Sequence, residues 1–495
     1  MTQDKEENHS PAALNGTSIR PWGAFWAVGV GFFMIMLDTT IMAVAQPAIQ
    51  VGLHASLSST VWANTSYMVA YAALMLFTGR LGDVIGPKSV YLWGLVVFLA
   101  SSLMCGFAWS VSWLIVFRVL QGCGAALMGP QTLAVINRVF PSATRGRAIA
   151  YWGAISGVST FLGPLAGGLL VSYAGWRWVF LVNVPIGLLG IVLTVLLVPA
   201  LPRSRARLSP WQIALYACGL ALVVLALQNA MSMSSPWQPA VLALVGLALL
   251  AGFAVAQRAD GDRALLPLSL FRVRRFSLST ICVILVSIAV NSTFLAVMYY
   301  LERVHGDDPF IGALRTVTMA GTTVLLARFV GTVMRQWKTA PMMVGAFLIA
   351  MLGTLTLAYA MNPKAAVVWI TLGYLVVGVG ASFFFSPLAY FSTSHVAPGL
   401  QGAASGAFNT ARIIGSALGN ALISAAISWK LAASGLISNP ALNSSLAIGN
   451  ISVAGQYASV LRFAMIVPLI ALAVALIVAL FFSWNTPHES TSKER

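Results

Sequence analysis

The chain has 495 residues, of which 59% are hydrophobic and only 8% charged, and its mean hydropathy is +0.87. Soluble domains carry roughly 25% charged residues, so this composition excludes an ordinary soluble enzyme or binding module and indicates an integral membrane protein. The formal charge of +16 does not indicate nucleic acid, because Lys and Arg stand at the ends of apolar runs and form no single soluble patch.

The opening segment "MTQDKEENHSPAALNGTSIR" is polar; residues 1–21 read as a cytosolic tail in which no secretory signal begins. Runs of about 20 apolar residues then recur from Trp22 to Trp484, the length that crosses a hydrocarbon core roughly 30 Å thick, and about fourteen helices are predicted. Apolar residues run continuously along them and do not alternate, which excludes a strand barrel. Six spans fit residues 22–200 and end at the basic linker "PALPRSRARLSP". Two more, near 211–229 and 238–257, fall in residues 201–260 together with the linkers. The basic stretch "QRADGDRALLPLSLFRVRR" leads into six further spans in residues 261–485, the last near 461–484, and residues 486–495 form a second cytosolic tail. The expected architecture is all-α: two six-helix bundles with two extra central helices.

Charge sets the orientation. Arg138, Arg145 and Arg147 cluster in one connection and Arg203, Arg205 and Arg207 in another, whereas "QVGLHASLSST" and "SMSSPWQP" carry no Lys or Arg. By the positive-inside rule both termini are cytoplasmic, in a multi-pass protein of the cell (inner) membrane. The external segment 428–460, about 30 residues between the last two spans, is longer than ordinary connections and is a candidate dock for a periplasmic adaptor. Cys105, Cys123, Cys218 and Cys282 all lie in apolar runs, and the five histidines are scattered, so no disulfide framework or metal site is expected. No phosphate-loop motif is present, so energy for transport has to come from a gradient or a partner. No cofactor is expected beyond the proton motive force.

The halves echo one another. Gly153, Gly157, Gly163 and Gly167 make two small-xxx-small pairs, and so do Gly402, Gly406, Gly415 and Gly419. Such spacing lets helices approach closely in lipid, and its repetition points to two bundles with a site between them.

Within the first span, "GFFMIMLDTTIMAVAQPAI" places Asp38 in the middle of an apolar run. An acid there is costly, about 2.5 to 3.5 kcal/mol on insertion scales, and marks either a functional site or a structural hydrogen bond to a neighbouring helix. In "GRLGDVIGPKSVYL", Gly79, Gly82 and Gly86 permit a tight turn, and Asp83 can cap the next helix or pair with Arg80 or Lys88. "FRVLQGCGAALMGP" puts Arg118, Gln121, Gly122, Ala125 and Gly129 on one helical face; an intramembrane Arg faces the interior and finds a partner, unless it snorkels to the interface. "GVSTFLGPLAGG" combines Pro164, which kinks a helix, with Gly163, Gly167 and Gly168.

These stretches carry a resemblance. "GRLGDVIGPKSVYL" resembles the loop signature of the major facilitator superfamily, with Gly79, Leu81, Asp83, Gly86 and Lys88 matching and Gly82, Val84 and Pro87 departing. The resemblance implies a conformational latch centred on Asp83 and a link between Arg118 and proton transfer. "GVSTFLGPLAGG" resembles the superfamily's antiporter signature, which favours exporters and implies that its glycines open close contact with the opposite bundle. "LDTTIMAVAQPAI", "GWRWVFLVNVPIG" and "SGAFNTARIIGSALGNAL" look like hallmarks of fourteen-span drug:proton antiporters of the EmrB/QacA type. A carboxylate between helices can take up a proton or attract a cation, and competition of the two for Asp38 would be antiport. Arg328 and Arg412 are further candidates for buried charge, against Asp38 as the one clear central acid.

The function implied is proton-coupled efflux of lipophilic, mostly monovalent cationic drugs, dyes or biocides, by a protein that is not an enzyme. Its partners are the small-molecule substrate, protons and membrane lipids, and the expected state is a monomer. Export of a physiological amphiphile, a lipid or metabolite, is the alternative; a sensor or scaffold without turnover is the second.

Overall fold

The computed structural model describes residues 21–201, 209–228, 237–260, 268–336, 339–363, 365–394, 396, 401–434 and 451–483. Both tails and most of the basic linkers lie outside these residues.

The first half comprises α1 (Pro21–Gly52), α2 (Leu57–Ile85), α3 (Pro87–Gly106), α4 (Val111–Val139), α5 (Ser142–Tyr173) and the pair α6 (Trp178–Leu181) and α7 (Asn183–Leu197). Next come α8 (Pro210–Gln228) and α9 (Trp237–Asp260). The second half comprises α10 (Arg274–Tyr300), which runs on as a π-helical turn over Leu301–His305, then α11 (Pro309–Gln336), α12 (Thr339–Ala360), α13 (Val368–Ser394), α14 (Gln401–Ala433), α15 (Ile451–Ala464) and α16 (Ile466–Ser483). No strand occurs among the described residues. Eleven of these helical stretches are long and apolar enough to cross a membrane, or twelve with the bent α2 taken as one span; two further apolar segments, Phe161–Tyr173 and Trp211–Leu227, are shorter. The protein is a multi-pass membrane protein.

Local chemistry sets the helix ends. The hydroxyls of Ser56 and Ser110 accept the backbone N–H of Ser59 and Trp113, capping α2 and α4. Gly86, at φ 105°, separates α2 from α3, with Pro87 opening the latter, and Gly306, at φ 79°, ends the π-helical turn. Both angles are open to glycine and strained for other residues. Large apolar residues such as Leu196, Leu244 and Leu325 point outward, as a surface against lipid requires.

Two differences from the sequence reading concern the second half. α14 extends to Ala433 and α15 begins at Ile451, so the segment expected to be a 30-residue loop is largely helical at both ends. The final apolar stretch starts earlier than residue 461 and is interrupted at Met465. Residues 435–450 lie outside the described residues.

The glycine pairs show how the halves correspond. A Cβ on Gly163 would collide with the Thr40 hydroxyl, and one on Gly167 would lie 2.8 Å from Ile41 Cγ1, so α5 is seated directly on α1. In the other half a Cβ on Gly415 would lie 2.5 Å from the Ile284 carbonyl and one on Gly419 2.7 Å from that of Ile288, seating α14 on α10 in the same way. The expectation that the antiporter-type glycines contact the opposite bundle holds only for Gly168, whose Cβ would lie 2.7 Å from Phe310 Cα and 2.9 Å from Ala313 on α11.

The two bundles meet tightly at the end where α1 finishes and α11 begins. Arg303 donates to the Pro47 carbonyl and to Gln50 Oε1, both at 3.2 Å. Ser172 donates to the Asp308 carboxylate, and Val44, Met298 and Ala313 form a small buried cluster across the seam. Asp308 also accepts the Phe310 N–H, while Asp307 pairs with Arg315 at 2.8 Å.

Candidate functional site

Asp38 sits about 26 Å along a helix of about 48 Å, deep within the first bundle. It is 1% exposed and is not alone. Arg118 of α4, fully buried, places Nη1 2.7 Å from Asp38 Oδ2. The same Nη1 donates to Gln121 Oε1 at 2.8 Å, and Gln121 Nε2 donates back to Asp38 Oδ1 at 3.1 Å, closing a ring of three side chains. The 3.6-residue period makes this ring: Arg118 and Gln121, three apart, project from one face of α4 towards α1.

Neighbouring helices complete it. Arg118 Nε donates to the Ala63 carbonyl of α2 at 3.2 Å, and the guanidinium lies over the Tyr67 ring, 4.1 Å from its centroid. Gln121 Nε2 and Asn183 Nδ2 both donate to Ser102 Oγ at 3.1 Å, and Asn183 also reaches Asp38 Oδ1 at 3.4 Å. Ser102 in turn donates to the Phe180 carbonyl at 2.9 Å. The network therefore ties α1, α2, α3, α4, α6 and α7 together. Arg118 Nη2 is left without a hydrogen bond, and so are both polar atoms of the fully buried Gln46, further along α1.

Arg118 is thus the partner that the Asp38 carboxylate needs at a fully buried position. Removing one member of such a pair is costly because the other charge stays buried. Antiport by competition of proton and cation takes Asp38 as the negative site, and the structural alternative takes it as bonded to a neighbouring helix. Here its charge is compensated, and a cation would have to displace Arg118 to reach it.

The other singled-out residues are elsewhere. Asp83 accepts from Arg138 Nη2 at 2.6 Å, tying the end of α2 to the end of α4 inside one bundle; both side chains are about one-third exposed. α3 has no side-chain cap, so the expected capping by Asp83 is not made, because Gly86 occupies the cap position. Lys88 donates to the Val195 carbonyl at 2.9 Å, fixing α3 against α7. Gly79 leaves 3.7 Å between its hypothetical Cβ and Pro130, and Gly82 lies against the Gln131 amide. Pro164 is buried within α5, close to the Thr40 contact of Gly163. Arg412 is half-buried on α14, and the Arg328 side chain lies outside the described residues.

Sequence reasoning found Asp38 and Arg118 but not Ser102, Asn183 or Tyr67. A signal existed: Asn183 stands in "WVFLVNVPIG" and Ser102 in "FLASSLMCG", polar residues within apolar runs. Among the described residues no group of three His, Cys, Asp or Glu could hold a metal ion.

The pattern described as the Major Facilitator Superfamily matches residues 28–420. An uncharacterised MFS-type transporter of Mycobacterium tuberculosis is 38% identical over 415 residues, 83% of this chain and 71% of its own length. A tetracenomycin C resistance and export protein of Streptomyces glaucescens is 32% identical over 424 residues, 84% of this chain and 77% of its own. In fold, the chain is similar to the crystal structure of a bacterial homologue of the human lysosomal transporter Spinster, with TM-score 0.64 and 17% identity over 94% of this chain and 98% of that one.

Proposed function

The chain belongs to the major facilitator superfamily, and on that basis we propose that it is a proton-coupled exporter of lipophilic drugs, dyes or biocides, a transporter and not an enzyme, working by alternating access. The observation that carries the reading is the buried Asp38–Arg118 pair bridged by Gln121. Protonating Asp38 removes the charge that holds Arg118 and frees a guanidinium joined to α2 and α4, a local change that can bias a two-state packing of helices. Export is favoured by the resistance-and-export relative from Streptomyces.

With the topology implied by the Arg clusters, the sealed end of the bundles is external and both termini are cytoplasmic in the inner membrane. The cycle then opens that seam and closes the opposite one. Membership of the fourteen-span antiporter branch is supported by α8 and α9, which stand between the two halves. The unit of transport is a monomer, and Asp83, Lys88 and the α2–α3 turn brace the first bundle while it moves.

The test is efflux of lipophilic dyes, ethidium among them, from cells expressing wild type or Asp38→Asn, with and without a protonophore. Wild-type efflux that collapses with the protonophore, together with an inserted but inactive variant, supports the reading. A variant that pumps as well as wild type overturns it.

A further inference from the structure

Among the described residues, charge in the middle of this protein does not balance. Asp38 is matched by Arg118, and Arg303 and Arg315 are engaged at the sealed end. Arg412 differs. It lies about 17 Å into α14, half-buried, and no ion pair to it occurs among the described residues. An unpaired guanidinium at membrane depth is costly, and such residues mark a substrate path or site.

The surroundings are built for a ligand. Arg412, Ser416 and Asn420 recur every four residues and share one face of α14. Asn291 of α10 donates to Ser416 Oγ at 2.9 Å, and Asn420 Nδ2 reaches Met68 Sδ at 3.5 Å on α2, across the boundary between bundles. On α2, Asn64, Met68 and Tyr71 stand four and three residues apart, on one helical face, and the Tyr71 phenol is within electrostatic reach of Arg412. Asn64 Oδ1 is buried without a hydrogen bond. Tyr71 packs 6.1 Å, centroid to centroid, from Tyr67, the ring under the Arg118 guanidinium. The seam therefore joins one free cation, amide groups and aromatic surface, at the interface of two bundles where transporters of repeated design hold their cargo.

We infer that Arg412 receives a carboxylate of the transported molecule, so that the preferred cargo is an aromatic or alkyl amphiphile bearing one acidic group. A planar guanidinium matches a carboxylate through two parallel hydrogen bonds, which a lysine cannot reproduce. Tyr71 and Met68 supply the apolar wall, and the Tyr71–Tyr67–Arg118 contacts place the cargo next to the proton site. This assignment rests on the export reading for its cargo but not for its binding chemistry.

The experiment measures equilibrium binding of rhodamine B, which carries a free carboxylate, and of its methyl ester, by fluorescence anisotropy with the purified protein. Wild type, Arg412→Gln and Arg412→Lys are compared, with thermal melting as the check on folding. Wild type is expected to bind the acid roughly ten- to a hundredfold tighter than the ester. Arg412→Gln should bring the acid down to the level of the ester and leave the ester unchanged, with Arg412→Lys in between. Equal binding of acid and ester by wild type, no binding of either, or an equal loss of both in Arg412→Gln overturns the assignment. Transport of the same dyes into proteoliposomes separates the two readings: acid-selective binding without proton-driven uptake sinks export and leaves the Arg412 site standing, whereas uptake without acid selectivity does the reverse.

Discussion

Adding one methyl group at Gly168 should unseal one end of the protein without unfolding it. The Cβ of Gly168→Ala would lie 2.7 Å from Phe310 Cα, 2.9 Å from the Pro309 carbonyl and 2.9 Å from Ala313 Cβ. Two of those atoms are main chain and cannot rotate aside, so the bundles have to separate or strain. Overpacking of this kind costs about 1–3 kcal/mol. All of it falls on the arrangement in which α5 touches α11, and none on one in which that seam is open, so the equilibrium shifts roughly 5- to 150-fold towards opening. Val44, buried against Met298 and Ala313, reports the event. In a background with Cys123 and Cys218 replaced by Ser, the two cysteines that are not buried, a Val44→Cys reporter should react with a membrane-impermeant maleimide at least about fivefold faster when Gly168→Ala is added. Gly167→Ala, which strikes Ile41 within the same bundle, should lower the melting temperature and leave labelling unchanged. Unchanged labelling in Gly168→Ala, or the same acceleration in both variants, would refute the reasoning.

Two other outcomes bear on the site and its scaffold. Arg118→Ala leaves Asp38 buried without a cation, a loss of about 3–5 kcal/mol, so it should melt well below the double variant Asp38→Asn with Arg118→Gln; a wild-type melting curve for the single variant would contradict the pair's role. Gly86→Ala forces a side chain onto φ 105° and should destabilise by about 1–3 kcal/mol, read as a lower melting temperature, and unchanged melting would show that the α2–α3 turn tolerates another angle.

How much of this was legible in the sequence depended on range. Helices announce themselves locally: apolar runs of about 20 residues and the turn signal at Gly86 need no knowledge of the remainder of the chain. Asp38 and Arg118 stood out for the same reason, each a charge in an apolar run. Their mutual contact spans 80 residues and is decided by how α1 and α4 cross, which periodicity does not reveal. The same limit explains Asp83, whose partner Arg138 lies 55 residues away and was read as a marker of topology only. Glycine spacing identified close approach at Gly163, Gly167, Gly415 and Gly419 but not at Gly406, which has open space around it, and Gly167 and Gly168, adjacent in sequence, point about 100° apart around the helix. One meets its own bundle and the other the opposite one, a distinction that needs the crossing geometry. The helical ends at 428–433 and 451–459 read as loop because Ser428, Lys430, Ser452, Gly455, Gln456 and Ser459 lower the hydropathy there, while packing keeps them helical.

The grip of Arg303 on α1 has an evolutionary side. Of its two acceptors, Gln50 can be exchanged by a single codon change, but the carbonyl of Pro47 belongs to the main chain and is present whatever residue stands there. That half of the fastening is insulated from drift on α1. Only α10 can lose it, at Arg303 itself or through the π-helical turn that presents it, so natural variation that retunes how readily this end parts should concentrate at residues 301–305.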